Sequence, residues 1–183
     1  NVTSHRHQDH LSFQMAVGRE RMLVDAGHCC YRLAAWRFST SSAQHNLFDF
    51  VLSDGTVLGQ KLATGNFVER KAPLVRNLLR MRIGTAEVTV ADGTDAYGPE
   101  ITRAVRAFVS VLPNACFIID RATTAVPTTL RSHFAANNRD NRLSINRADD
   151  HRLVFRRNGE AMKLFECAAW LDGQRTPSAL RLD

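Results

Sequence analysis

The first ten residues bring four metal-capable side chains close together, His5, His7, Asp9 and His10, in the run Ser-His-Arg-His-Gln-Asp-His. Imidazole nitrogen and carboxylate oxygen are donors that zinc accepts, at about 2.0–2.2 Å. A polar, histidine-rich terminus is equally a common solvated end, so the run needs an element to position it. Leu11, Phe13, Met15 and Val17 alternate with Ser12, Gln14 and Ala16, which predicts a half-buried strand beginning near Leu11. Extended back without a bulge, that strand would carry His5, His7 and Asp9 on the face of Leu11 and Phe13. The cluster would then sit where an apolar core meets solvent, and the low dielectric there strengthens a metal or charge interaction.

The segments that follow are short and strand-like. A run over 22–24 ends at Ala26-Gly27, and 48–52, Ser53-Asp54-Gly55 and 56–58 predict a hairpin, because Asp-Gly supplies the positive φ of a tight turn. The run over 86–90 is expected to close at Asp92-Gly93 in the same way. Residues 101–112 form the longest alternating segment, which turns at Pro113-Asn114 into 116–119. Further runs lie at 129–134, 143–146, 153–156 and 162–167. Only 67–82 hints at a helix, interrupted by Pro73. Many short strands joined by polar turns predict an all-β, antiparallel β-sandwich. No repeat and no Ser- or Pro-rich linker divides the chain, so a single domain over 1–183 is expected.

A chain of 183 residues that is 44% hydrophobic can bury the core of one ordinary domain, which excludes disordered and collagen-like classes. No window approaches the ~18 consecutive apolar residues of a membrane helix, so no membrane partner is expected. Cys29 and Cys30 are adjacent while Cys116 and Cys167 are remote, which makes neither a disulfide scaffold nor a Cys-x-x-Cys zinc ribbon. The formal charge is +6, and of 24 basic residues only Lys61, Lys71 and Lys163 are lysines. Arginine forms two-pronged bonds to carboxylate, sulfate or phosphate, so the balance suits a polyanion. The cations are dispersed, as at Arg76, Arg80, Arg82, Arg103, Arg106, Arg139 and Arg142, with no basic helix or aromatic ladder. Nucleic acid is therefore not the expected partner.

Read in order, the chain gives His5-x-His7-x-Asp9-x-Leu-Ser-Phe13, then Val-Asp25-Ala-Gly27, Tyr31, Arg37-Phe-Ser39-Thr40 and Gln-His45-Asn46, with Phe117-Ile-Ile-Asp120-Arg121 much later. This resembles the metal-bearing C-terminal β-sandwich of the heparinase II/III family of polysaccharide lyases. Five ordered pieces agree, strongly as far as Asn46 and loosely beyond it. Two departures stand out: Gly-His-Cys-Cys-Tyr replaces a Gly-Thr-Tyr type of segment, and Gln44 replaces the usual Ala before His-Asn.

The resemblance implies that zinc, or another divalent metal, is held by His7, Asp25 and His45, with His5 facing the substrate. Ligands so far apart would come from separate strands or loops, and the ion would staple them together. Taken singly, Asp25 before Ala-Gly also suits a turn and His45 beside Asn46 a loop cap. The implied chemistry is β-elimination in a uronic-acid polysaccharide, of the heparin, heparan sulfate or alginate type. Such an enzyme neutralises the carboxylate beside the acidic carbon, supplies a base and protonates the leaving oxygen. An imidazole ordinarily titrates near neutrality, so His5 fits charge neutralisation or proton transfer. Tyr31 fits the leaving oxygen, given a cationic neighbour, and Arg37 fits a substrate carboxylate or sulfate.

Family enzymes place an α/α toroid before this sandwich, and it supplies essential catalytic residues. The expectation is accordingly a fragment carrying part of an active site, with the helical domain as its missing partner, acidic polysaccharide as ligand and a periplasmic or secreted location. Two other readings stand beside this one. The chain could be a non-catalytic module that binds acidic glycan or keeps a structural zinc. Alternatively, His5-x-His7-x-Asp9-His10 fits the metallo-β-lactamase signature, in which zinc activates water. That reading needs an apolar strand before the motif and helical layers around the sheets, whereas Asn1 to Ser4 is polar.

Overall fold

Alternating apolar residues punctuated by Asp-Gly, Gly-Thr and Asn-Gly turns keep most of this chain extended. The computed structural model describes residues 7–25, 27, 33–61 and 75–182, apart from the side chains of residues 33, 36 and 37. In chain order the strands are β1 (Met15–Val17), β2 (Glu20–Leu23), β3 (Phe48–Leu52), β4 (Val57–Leu58), β5 (Arg76–Ile83), β6 (Ala86–Asp92), β7 (Ile101–Val111), β8 (Ala115–Thr124) and β9 (Thr128–Ser132). They continue as β10 (Leu143–Asp149), β11 (Arg152–Arg157), β12 (Glu160–Phe165), β13 (Ala169–Leu171) and β14 (Gln174–Thr176). Every pairing is antiparallel, so the all-β expectation holds. The described residues add one short helix, α1 (Leu33–Ser39), which sequence reading missed. None of their helices is long and apolar enough to cross a membrane.

The chain divides into two compact units, one drawn from Asn1–Phe13 and Asp25–Phe134, the other from Gln14–Val24 and Ala135–Asp183. The first holds a sheet of order β5-β6-β7-β8 and a second of order β4-β3-β9. Its core joins residues of both sheets: Phe48 and Phe50 from β3, Ile101 and Ala104 from β7, and Ala96 and Tyr97 from the corner between β6 and β7. Phe48 and Tyr97 stack with centroids 5.8 Å apart, and Phe50 meets both edge-on. Each fully buried Phe contributes roughly 1.5–3 kcal/mol from water exclusion. Burial pushes the Tyr97 phenol up, so it stays a donor, and it donates to the Phe48 carbonyl at 2.8 Å.

In the second unit, β1 pairs with β2, β10-β11-β12 form a sheet, and β13 pairs with β14. Met22, Leu23, Leu143, Leu153 and Phe155 are its buried apolar residues. Arg157, itself nearly buried, holds Asp140 with two bonds of 2.6 and 2.5 Å, Glu20 at 2.7 Å and the Asn137 carbonyl at 3.2 Å. One guanidinium thus ties β2, β11 and the loop before β10 together.

Three expectations are corrected. The strand predicted from Leu11 begins only at Met15: Leu11 has φ +70° and Ser12 N–H donates to the Asp9 carbonyl at 3.0 Å, so residues 9–12 turn. The face that His7 and Asp9 were expected to share with Leu11 and Phe13 therefore does not exist. The segment 67–82, which hinted at a helix, is strand β5 over its described part from Arg76; residues 67–74 lie outside the described residues. Leu, Arg and Met are good helix formers, and a bulge between Asn77 and Leu79 hides the alternation. Pairing with β6 through Gly84, whose φ of +59° suits glycine, overrides that propensity. Asp92-Gly93 does not close a tight hairpin: Asp92 Oδ1 accepts from Thr94 N–H and Oγ1–H, opening the 3-10 turn Thr94–Ala96 before β7.

Candidate metal centre

His45 closes the 3-10 turn Ser42–Gln44, with its N–H bonded to the Ser42 carbonyl at 3.2 Å, and its side chain is fully buried. Asp25 stands in a tight Asx turn: Oδ1 accepts from Gly27 N–H at 2.6 Å, and Gly27 takes φ +70°, which glycine adopts without a Cβ clash. Oδ2 lies 2.8 Å from His45 Nδ1. Burial pushes the Asp25 carboxyl up, but the Gly27 N–H, His45 and His7 outweigh it and hold the group below its ordinary value. Asp25 is therefore ionised at neutral pH.

His7 completes the set. Its ring lies 5.2 Å from that of His45, centroid to centroid, tilted by 43°. Donor atoms of His7, Asp25 and His45 all fall within 4.8 Å of one another, and they form a set able to hold a cation. Two donors on one zinc lie at most about 4.4 Å apart at 2.0–2.2 Å each, close to the 4.8 Å within which these three fall. His45 Nε2 is buried with no hydrogen-bond partner among the described residues. A buried imidazole whose Nδ1 meets an ionised carboxylate and whose Nε2 is unpartnered among the described residues, with a second imidazole nearby, is a donor set that fits zinc.

The segment bearing His7 lies outside the strands and is held by one backbone bond together with several side-chain bonds. Gln8 N–H donates to the Thr40 carbonyl at 2.8 Å, and Gln8 Oε1 accepts from Ser42 N–H at 3.2 Å. The buried amide of Gln60 pairs reciprocally with the His10 backbone, accepting from its N–H at 3.0 Å and donating to its carbonyl at 2.7 Å. Asn46 Nδ2 donates to the Phe13 carbonyl at 2.7 Å. Beside Gln8, Ser42 and Gln60 opens a cleft of about 550 Å³ that also takes in Lys61 and Arg131. Asp49 anchors Arg131 there through two bonds of 2.9 Å.

The residues singled out by sequence separate as follows. His7, Asp25 and His45 converge; Asp9 and His10 do not join them. His5 and Tyr31 lie outside the described residues, and Arg37 lies in α1 with its side chain outside them. Sequence reading missed Gln60, which carried no local signal. It counted Arg106 only among the dispersed cations, although its place between Ala104 and Phe108 on one face of β7 hints at a buried pair.

An antiparallel β-sandwich with two histidines and an aspartate gathered at one point defines a metal-capable β-sandwich domain. The chain belongs to the family described as Heparinase II/III-like, C-terminal, whose model matches residues 1–181, and it is thereby related to polysaccharide lyases. No curated protein matches it at a significant level. The metallo-β-lactamase alternative loses its footing: Asp9 and His10 stay out of the cluster, and no helical layer flanks the sheets among the described residues.

Proposed function

We propose that this chain is the metal-binding β-sandwich part of a lyase that cleaves uronic-acid polysaccharides by β-elimination. The observation that carries the reading is the convergence of His7, Asp25 and His45 within 4.8 Å in a member of this family. These three residues would hold a divalent ion, with zinc the best match to two imidazoles and a carboxylate. When bound, the ion supplies fixed positive charge that ties together three separate segments of chain.

In this reading His5 neutralises the uronate carboxylate or moves a proton, Tyr31 serves the leaving oxygen, and Arg37 binds a substrate carboxylate or sulfate. A preceding helical toroid completes the active site, a role supported by the family being described as C-terminal. Acidic polysaccharide is the substrate class, and the location that goes with it is periplasmic or secreted. The arginine-rich composition, formal charge +6, supports a polyanionic ligand.

Two measurements test the proposal. Elemental analysis of protein purified without added metal is expected to find zinc in the unaltered chain and to find it lost in the His7→Ala, His45→Ala double variant; equal content in both refutes the ligand assignment. The polypeptide carrying this domain together with its helical toroid is expected to generate the ultraviolet absorbance of an unsaturated uronate from heparan sulfate or alginate. Silence on every uronic polymer favours a non-catalytic glycan-binding or structural module instead.

A further inference from the structure

We propose that Arg106 is a positioning residue for the metal centre, fixing through backbone carbonyls the two segments that carry His7 and His45. The inference depends on reading His7, Asp25 and His45 as metal ligands, and it names the side chain that holds two of them in register. Arg106 projects from β7 and is 1% exposed. Its Nε and Nη2 donate to Asp120 Oδ1 and Oδ2 at 2.6 and 2.8 Å. Its Nη1 donates to the Leu11 carbonyl at 3.0 Å and the Asn46 carbonyl at 2.8 Å. Asn46 is the neighbour of His45, and Leu11 lies four residues beyond His7. The guanidinium carbon also sits 5.0, 5.7 and 5.9 Å from the ring centroids of Phe48, Phe13 and Phe108.

The chemistry explains why arginine is needed. A buried cation is unfavourable by several kcal/mol unless paired, and Asp120 supplies that pairing. The planar fork lets one edge hold the carboxylate while Nη1 still reaches two carbonyls. Those carbonyls belong to turns outside any strand pairing, and Arg106 donates to both. A lysine has the charge without the fork and can serve only part of this set.

Cobalt(II) titration, read through its visible ligand-field bands, tests the role on the unaltered protein and on Arg106→Lys, Arg106→Met, Asp120→Asn and Val105→Ala. Val105 is buried on the same strand but points to its opposite face, so its loss lowers stability without touching the Arg106 contacts. The unaltered protein and Val105→Ala are expected to bind equally. Arg106→Met and Asp120→Asn are expected to bind about ten-fold or more weakly with altered bands, and Arg106→Lys to recover part of the loss. If Arg106→Met does not fold, the near-isosteric Asp120→Asn carries the comparison. Native affinity and bands in Arg106→Lys and Asp120→Asn overturn the positioning role alone, as does an equal loss in Val105→Ala. Absence of cobalt uptake by the unaltered protein overturns the ligand reading, and the inference with it.

Discussion

Asp25 and His45, 20 residues apart in the chain, meet through a 2.8 Å contact between Oδ2 and Nδ1. The second carboxylate oxygen is fixed by Gly27 N–H, so neither the aspartate nor the buried imidazole can turn away without losing a bond. This pair is the rigid half of the candidate centre, and His7 faces it from a separately anchored segment.

Removing Asp25 should therefore harm the zinc-loaded protein more than removing its neighbour in the motif, Asp9. Asp25→Ala is expected to lower Tm well beyond Asp9→Ala, because a ligand lost from a bound cation leaves its charge poorly compensated. Chelation should lower the Tm of the unaltered protein and leave Asp25→Ala little changed. Free metal at a hundred times its Kd contributes about 2.7 kcal/mol of stability by mass action. Indistinguishable melting of the two variants counts against the ligand role.

Acid stability should report on the Arg157 clamp. Side-chain bonds from Arg157 hold the Asp140 carboxyl at about 2, against an ordinary value of 3.8. A depressed folded-state value means that its stabilisation is complete above 3.8 and is lost as pH falls through about 2. In urea unfolding from neutral pH down to pH 2, the midpoint gap between the unaltered protein and Asp140→Asn should stay level until 3.8 and then shrink. A gap that persists undiminished at the acid end contradicts the assignment.

Phe50→Ala should be the costly core substitution. Phe50 is fully buried and meets Phe48 and Tyr97 edge-on, so truncation forfeits both burial and aromatic contact. Denaturant unfolding should register a loss of about 3–5 kcal/mol. A loss below 1 kcal/mol would mean that the site collapses around the cavity.

Strand β5 should be protected from self-association by its arginines. All eight of its residues are exposed, its outer edge has no partner strand among the described residues, and Leu79, Met81 and Ile83 face solvent. Arg76, Arg80 and Arg82 place like charges where a second copy of the edge would dock. Light scattering of Arg80→Val, Arg82→Val at raised concentration should show oligomers absent from the unaltered protein; a monodisperse double variant argues against this role.

Strands such as β8, β11 and β12 were legible because exposure alternates along them, which writes alternation into the sequence. At residues 8–13 the same alternation misled. Leu11 and Phe13 do pack inward, but their backbone is held by Arg106 and Asn46 from far along the chain, and no local periodicity encodes such bonds. The candidate ligand set was named from ordered motif agreement rather than from spacing, since nothing between His7 and His45 announces that those residues meet. The hairpin of β13 and β14 around Asp172-Gly173 was passed over because three-residue strands are too short for a pattern.

Gln60 gives residue 10 what a neighbouring peptide unit would give, yet it does so with one amide. A true ladder is indifferent to which side chains flank it; here the requirement is written in a single letter. Exchanging that NH₂ for an oxygen, as in Gln60→Glu, would set a carboxylate against the His10 carbonyl and turn an attraction into a repulsion. The stretch leading to His7 is thus vulnerable to a swap of one atom, fifty positions away in the chain.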